Sequence, residues 1–137
     1  MALNAAAAGA TTRSSRLPKL GSEVFAGRAG VGWGTYKPNE IFNGGDPTGQ
    51  IEDIDWSSWG GPTAIGYGTG LYVGPHSDVA DGRPGRAELR AFDLGHCTAG
   101  GPLTYQRLDV RGPAPPGGKL GPWHSWSDAK TLCRFGF

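Results

Sequence analysis

The chain has 137 residues, which is the length of one domain with a modest core. Its 13 Lys and Arg nearly balance its 12 Asp and Glu, and the net charge of +1 gives no reason to expect a nucleic-acid partner. Its apolar runs are shorter than the ~20 residues of a membrane-spanning helix, so we expect no membrane span. The 25 Gly and 11 Pro are interspersed with 14 aromatic residues, which favours an all-β fold over a disordered chain.

Residues 1–21 predict a flexible N-terminal arm or leader remnant, and residues 22–137 a single β domain. The arm is rich in Ala, Ser, Thr and Arg and contains no acidic residue. A secretory signal would need a basic start and a longer apolar core than the first ten residues supply. Composition favours a disordered tail. An arm that docks on a partner stays open as the alternative.

Residues 54–70 predict a β-hairpin with a turn at 60–63. In the predicted register Trp56 lies opposite Tyr67. The face that we expect to form the core holds Ile54, Trp56, Ile65 and Tyr67. The other face holds Asp53, Asp55, Ser57 and Trp59, opposite Ala64, Gly66 and Gly68. The alternating glycines leave room for a large ring, and Trp59 is the obvious candidate for it.

The rest of the domain adds short strands at 23–27, 31–36, 87–94 and 103–110, separated by Gly- and Pro-rich loops. The segment 123–135 fits either a last strand or a short helix capped by Ser127. We therefore expect a small antiparallel β-sandwich or barrel.

Cys97 and Cys133 are far apart in sequence and form no CxxC pair, so a zinc site lacks its signature. They are either a disulfide or two buried thiols, and an exported chain favours the disulfide. Such a bond would tie the end of the chain to its middle and stabilise the fold by ~3–4 kcal/mol.

A hydrolytic triad would have to use one of three histidines. The chain offers His76, His96 and His124, with Ser125 or Cys97 as nucleophile and Asp93 or Asp128 as acid. No GxSxG motif is present, and adjacent residues such as His96 and Cys97 point to opposite faces of a strand. Three surface histidines are the favoured interpretation, so no catalytic residue is assigned.

Glu52, Asp53 and Asp55 form an acidic run. Asp53 and Asp55 share a face and would suit a glycosidase. With Asp46 the run is acidic enough for an extracellular Ca²⁺ loop, although it lacks the spacing of an EF-hand. We assign no metal ligand and no cofactor, with Ca²⁺ as the alternative. A solvated strand face that blunts edge pairing explains the same charges.

Trp59, Asp53, Asp55 and Ser57 together form the candidate ligand-binding face. An exposed indole would stack on the apolar face of a sugar, and the polar neighbours would bind its hydroxyl groups. The alternative is that the tryptophans fill the core, which we expect for Trp56 and leave open for Trp59. Trp123, His124 and Trp126 make a second cluster.

The segment from 38 to about 108 resembles a family of small, uncharacterised secreted proteins of actinobacteria. The matching motifs are Gly45-Asp46, Ile54-x-Trp56-Ser-Ser-Trp59-Gly60, the alternating Ala64, Gly66 and Gly68, and Cys97 followed by Tyr105-x-x-Leu108. The resemblance implies export, an extracellular or cell-envelope location and a small β-rich domain. It implies no activity.

These features together predict a non-enzymatic exported binding or structural module that presents one sheet face to a protein or glycan partner. Its arm would help to attach it to a larger assembly, such as a cell envelope or a phage particle. The alternative is a small hydrolase of cell-wall or other polysaccharide that uses Asp53 and Asp55 or a histidine site.

Overall fold

The structure, a computed structural model, describes residues 17–136, and it confirms the all-β fold. The strands are β1 (Lys19–Leu20), β2 (Thr35–Tyr36), β3 (Ile41–Phe42), β4 (Gln50–Trp56), β5 (Thr63–Tyr72), β6 (Arg83–His96), β7 (Leu103–Ala114) and β8 (His124–Ser125). Three short 3₁₀ turns lie at Pro47–Gly49, Val79–Asp81 and Trp126–Asp128. Within the described range, no helix is long and apolar enough to cross a membrane.

The strands form one sheet in the order β2-β1-β7-β6-β5-β4-β3, and β8 also pairs with β7. The sheet curls into a half-barrel, and it is mixed because β1 runs parallel to β7 while the other pairs are antiparallel. Val31 forms a bridge with Phe42 in β3, and β2 pairs with β1. The segment 31–36 therefore contacts both ends of the sheet.

The beginning of the described chain belongs to this sheet. Lys19 and Leu20 pair with Thr104 and Tyr105 of β7, and the Gly21 N–H donates to the Tyr105 carbonyl at 3.0 Å. The β domain therefore includes residues 17–21, which the sequence assigned to the arm. Residues 1–16 of the predicted arm lie outside the described residues.

The predicted register of the β4–β5 hairpin is wrong by one residue. Trp56 pairs with Gly66, and Asp55 pairs with Tyr67. The register shifts between Glu52 and Asp55, where Asp53 has a φ of 52°. This bulge adds a residue to β4, so its side chains no longer follow a strict alternation. The buried positions of β4 are accordingly Ile51, Ile54 and Trp56.

The glycines of β5 accommodate Trp56 rather than Trp59. A Cβ on Gly66 would lie 2.7 Å from Cε3 of Trp56, and a Cβ on Gly68 would lie 2.7 Å from Cγ2 of Ile51. Real Cβ atoms do not approach other atoms so closely, so large residues of β4 lie directly over the backbone of β5. The small residues of β5 therefore face the core, and Tyr67 faces outward with 50% of its surface exposed.

Trp59 lies at the edge of the core, in the 57–62 connection. Its ring packs edge-on against those of Trp56, Tyr105 and Tyr36, with centroids 4.7, 5.1 and 6.0 Å away. Its indole N–H donates to the Pro18 carbonyl at 3.0 Å. The core interpretation of Trp56 is confirmed by its burial, and Trp59 extends the same aromatic cluster.

The predicted disulfide is confirmed. Cys97 is bonded to Cys133, with Cα atoms 5.0 Å apart, so the β6–β7 connection is joined to the end of the chain. The segment before Cys133 contains the two-residue strand β8 and a 3₁₀ turn, which begins after Ser125 rather than after Ser127.

Candidate functional site

The outward side chains of β4, β5, β6 and β7 form a continuous surface, which we call the outer face. Residues paired across neighbouring strands point to the same side of a sheet. The pairing defines three rows: Asp55, Tyr67, Glu88 and Arg111; then Ile65, Arg90 and Asp109; then Thr63, Phe92 and Arg107. The face is convex, because the sheet curls away from it around the core.

Two ion pairs join β6 to β7 on the outer face. Arg90 Nη2 lies 2.8 Å from Asp109 Oδ2. Arg111 donates through Nε at 2.9 Å and Nη2 at 2.5 Å to Glu88 Oε1. Glu88 is buried beneath this contact, so the guanidinium satisfies a carboxylate that would otherwise be costly to bury.

Two aromatic rings of the outer face are covered by guanidinium groups. Trp123, from the loop before β8, has Arg90 Cζ at 4.3 Å and Arg111 Cζ at 4.8 Å from its ring centre. Phe92 has Arg107 Cζ at 4.8 Å. Such cation–π contacts fix the orientation of long side chains that would otherwise be mobile.

Tyr67 presents the most exposed aromatic ring of the outer face. It lies between the cross-strand neighbours Asp55 on β4 and Glu88 on β6. No hydrogen bond or ion pair reaches the Asp55 carboxylate from any of residues 17–136. The face thus offers an open ring beside a carboxylate that has no partner among residues 17–136.

The predicted ligand-binding residues divide into two groups. Asp55 lies on the outer face, Asp53 is exposed at the bulge, and Ser57 lies at the border, where its N–H donates to the Ile65 carbonyl at 2.8 Å. Trp59 instead packs into the aromatic cluster of the core edge. Tyr67, which the sequence placed in the core, is the aromatic neighbour of Asp55. Tyr67 thus takes the place on the outer face that the sequence predicted for Trp59, because of the bulge in β4. The sequence signal of that bulge was the spacing of Ile51, Ile54 and Trp56, which does not follow a strict alternation.

Within residues 17–136, the rings of His96 and His124 are hydrogen-bonded to backbone carbonyls rather than to a nucleophile or an acid. His96 Nδ1 lies 2.8 Å from the Gly101 carbonyl, and His124 Nδ1 lies 3.4 Å from the Ser125 carbonyl. Among residues 17–136, no hydrogen bond joins a histidine to a carboxylate or a hydroxyl group. Cys97 is in the disulfide and is therefore no thiol nucleophile.

The acidic run does not converge on one point. In the part of the chain that the structure describes, no three His, Cys, Asp or Glu side chains are grouped to hold a metal ion. Asp46 instead accepts hydrogen bonds from the N–H and the hydroxyl of Thr48, each at 2.9 Å. The bond from the Thr48 N–H, with that from its hydroxyl, lowers the pKa of Asp46 below its ordinary value.

Comparison with protein-family models, with curated proteins and with solved structures finds no match to this chain. The resemblance to small secreted actinobacterial proteins stays a prediction. What the molecule does must therefore be inferred from its own surfaces.

Proposed function

We propose that this protein is a non-enzymatic exported binding module that presents the outer face to a protein partner. The observation that carries the proposal is the half-exposed ring of Tyr67 beside the carboxylate of Asp55, which has no partner within residues 17–136. Tyr and Arg are enriched in protein interfaces, because each combines a large contact area with directed hydrogen bonds. Both residue types occur on the outer face, where Arg111 lies in the same cross-strand row as Tyr67.

The state of the rings favours a protein over a glycan as the partner. A sugar-binding platform usually needs several open ring faces, whereas the outer face offers only that of Tyr67 among its described residues, and guanidinium groups lie over Trp123 and Phe92. Trp59, which the sequence predicted as the sugar-stacking ring, packs against three other aromatic rings. Arg107 adds a cation that has no carboxylate partner among residues 17–136.

Export is supported by the Cys97–Cys133 disulfide, since disulfides persist mainly in oxidising compartments. A place in a cell envelope or a phage particle, with residues 1–16 as the attachment arm, stays a prediction. The alternative of a polysaccharide hydrolase has less support, because Asp53 and Asp55 are exposed on a convex strand rather than facing each other across a cleft.

The proposal is tested by retention of cell-envelope proteins on the immobilised, oxidised full chain. We compare the wild type with the double variant Tyr67→Ala/Arg107→Ala. The matched control is Arg28→Ala/Val79→Ala, which also removes an exposed cation and an exposed apolar side chain but leaves the outer face unchanged. We expect a retained protein that is lost with the outer-face variant and kept with the control.

A parallel arm offers insoluble polysaccharides to the same three proteins. If the chain is retained on a polysaccharide and this retention is lost with the outer-face variant, the partner is a glycan rather than a protein. Equal retention of envelope proteins by all three chains, or by none, would contradict binding through the outer face.

A further inference from the structure

A cavity opens at the end of the half-barrel that is formed by the loop before β4 and the end of β7. Its volume is about 340 Å³, which lies within the usual ~300–1,000 Å³ of small-molecule sites. It is separate from the outer face, because its walls include Ile51 and Val110, whose side chains are buried in the core. The mouth of a β-barrel is a frequent place for such sites.

The floor of the cavity is apolar and fixed. Pro113 contributes accessible aliphatic surface, and Ile51, Val110 and Trp126, each almost fully buried, close the wall behind it. The indole N–H of Trp126 donates to Asn43 Oδ1 at 2.8 Å, which holds the ring in place. An apolar body of a ligand would therefore meet a preformed surface rather than a mobile one.

The rim of the cavity is polar and asymmetric in charge. Asn43 Nδ2 donates to Ser127 Oγ at 2.7 Å, which leaves the Ser127 hydroxyl proton for another acceptor. Asp46 uses Oδ1 for Thr48, and no bond to Oδ2 is found within residues 17–136. The cavity walls contain no Lys or Arg, so Asp46 carries the one formal charge there when His124 is neutral.

The backbone at the rim is strained. Ser127 has a φ of 53° and its neighbour Asp128 a φ of 56°, in the left-handed region that non-glycine residues rarely adopt. Strain of this kind persists where surrounding contacts enforce it, and it concentrates at binding sites. In this backbone conformation the Ser127 hydroxyl faces Asn43 across the rim and accepts its hydrogen bond.

We propose that this cavity binds a small organic amine, with the apolar body against Pro113 and the wall behind it and the ammonium group at Asp46. A carboxylate on the rim of an apolar cavity favours a cation, since a charge-assisted hydrogen bond is stronger than a neutral one. An anion would meet Asp46 without a compensating positive charge in the walls.

The test uses three probes of the same carbon skeleton at pH 8: cyclohexylmethylamine, cyclohexylmethanol and cyclohexanecarboxylate. Binding to the full chain is followed by amide chemical-shift changes of Gly49, Gly112 and Ser127, which line the cavity. We expect the amine to bind about twofold to fivefold more tightly than the alcohol, because Asp46 is exposed and solvent screens its charge, and the carboxylate to bind least.

The informative variant is Asp46→Asn, which keeps an oxygen for the Thr48 N–H and removes the charge. Its control is Asp78→Asn, because Asp78 also precedes a 3₁₀ turn but has no side-chain bond to it and lies outside the cavity. We expect Asp46→Asn to abolish the preference for the amine and Asp78→Asn to retain it. Tyr67→Ala should leave amine binding unchanged, so this proposal and the outer-face proposal fail independently.

Equal affinity of the amine and the alcohol for the wild type would overturn the proposal, and so would an unchanged preference in Asp46→Asn. If Asp46→Asn does not fold, the wild-type comparison of the three probes decides the question alone. Shifts that spread over the outer face rather than the cavity would also contradict it.

Discussion

The two faces of β5 differ in the size of their side chains. Toward the core, Gly66 and Gly68 make room for Trp56 and Ile51 of the neighbouring strand. Toward solvent, the alternate positions of β5 carry large side chains, of which Tyr67 is half exposed. β5 thus has glycines where side chains of β4 lie close to its backbone, and the ring of Tyr67 where the strand faces solvent.

The tryptophans of the core and the tryptophan of the outer face also differ in their polar contacts. Four indole N–H groups are bound by protein acceptors: Trp33 by the Phe42 carbonyl, Trp56 by the Pro38 carbonyl, Trp59 by the Pro18 carbonyl and Trp126 by Asn43 Oδ1. Trp123, on the outer face, contacts guanidinium groups instead. The number of aromatic residues therefore does not distinguish core rings from surface rings, whereas the contacts of each ring do.

The largest expected effect is that of Trp56→Ala on the inner face. The substitution empties a buried site and leaves the Pro38 carbonyl without the N–H that now lies 2.7 Å away. We expect the free energy of unfolding to fall by about 3–5 kcal/mol, measured by urea denaturation at pH 7. A fall below about 1 kcal/mol, which is usual for surface sites, would show that the inner face is not the core.

Gly66→Ala tests the close approach of β4 and β5 in the opposite direction, by adding volume. The new Cβ would lie 2.7 Å from Cε3 of Trp56, so we expect a loss of about 1–3 kcal/mol in the same assay. Gly61→Ala is the control, because no atom lies within 4 Å of its added Cβ. Equal stability of the two variants would contradict the observed register.

The stability at alkaline pH should distinguish the buried Tyr105 from the exposed Tyr67. Burial raises the pKa of Tyr105 above its ordinary value of 10.0, and its hydroxyl donates to the Gly61 carbonyl at 2.5 Å. The folded state thus favours the neutral phenol, so this contribution to stability is complete below pH 10 and is lost as the pH rises through the folded pKa. We expect Tyr105→Phe to lose about 1 kcal/mol at pH 7 and to show a weaker decline at high pH.

Urea midpoints between about pH 9 and 12 measure that decline. Tyr67→Phe is the control, because it removes an exposed phenol and should follow the wild-type pH dependence. If Tyr105→Phe and Tyr67→Phe decline in parallel, the buried phenol is not the cause.

The sequence predicted those parts of the fold in which alternation is unbroken. β6 was recognised because Ala87, Leu89 and Ala91 alternate with charged residues, and they are indeed buried. β4 was recognised as a strand, but the bulge at Asp53 inverted the faces of the hairpin. β1 was missed because two residues that pair in parallel with a distant strand leave no local pattern.

The outer face was predictable only in part. Asp55 was found from its acidic neighbours, since exposed carboxylates on a strand are visible in the sequence. Trp123 was singled out only as part of a cluster with His124 and Trp126. Its contacts with Arg90, and those of Phe92, were not predicted, because they join two strands and a loop whose positions only the tertiary fold determines. The choice between Trp59 and Tyr67 depended on a single inserted residue, which composition cannot reveal.

The smallest expected effect on stability is that of Tyr67→Ala, which tests the outer face of β5. With half of its ring already in solvent, the substitution should change the free energy of unfolding by about 0.5 kcal/mol or less. Trp59→Ala should lower it several times more, because that ring contacts three others in the cluster at the core edge. Both values come from the same urea assay.

The two variants also distinguish the two candidates for the exposed ring. If the outer face binds the partner, Tyr67→Ala should lose binding while it keeps its stability, and Trp59→Ala, assayed below its unfolding transition, should keep binding. A Tyr67→Ala protein that unfolds like Trp56→Ala would place Tyr67 in the core, as the unbroken alternation predicted. A Trp59→Ala protein that stays fully stable yet loses its partner would return the binding surface to Trp59.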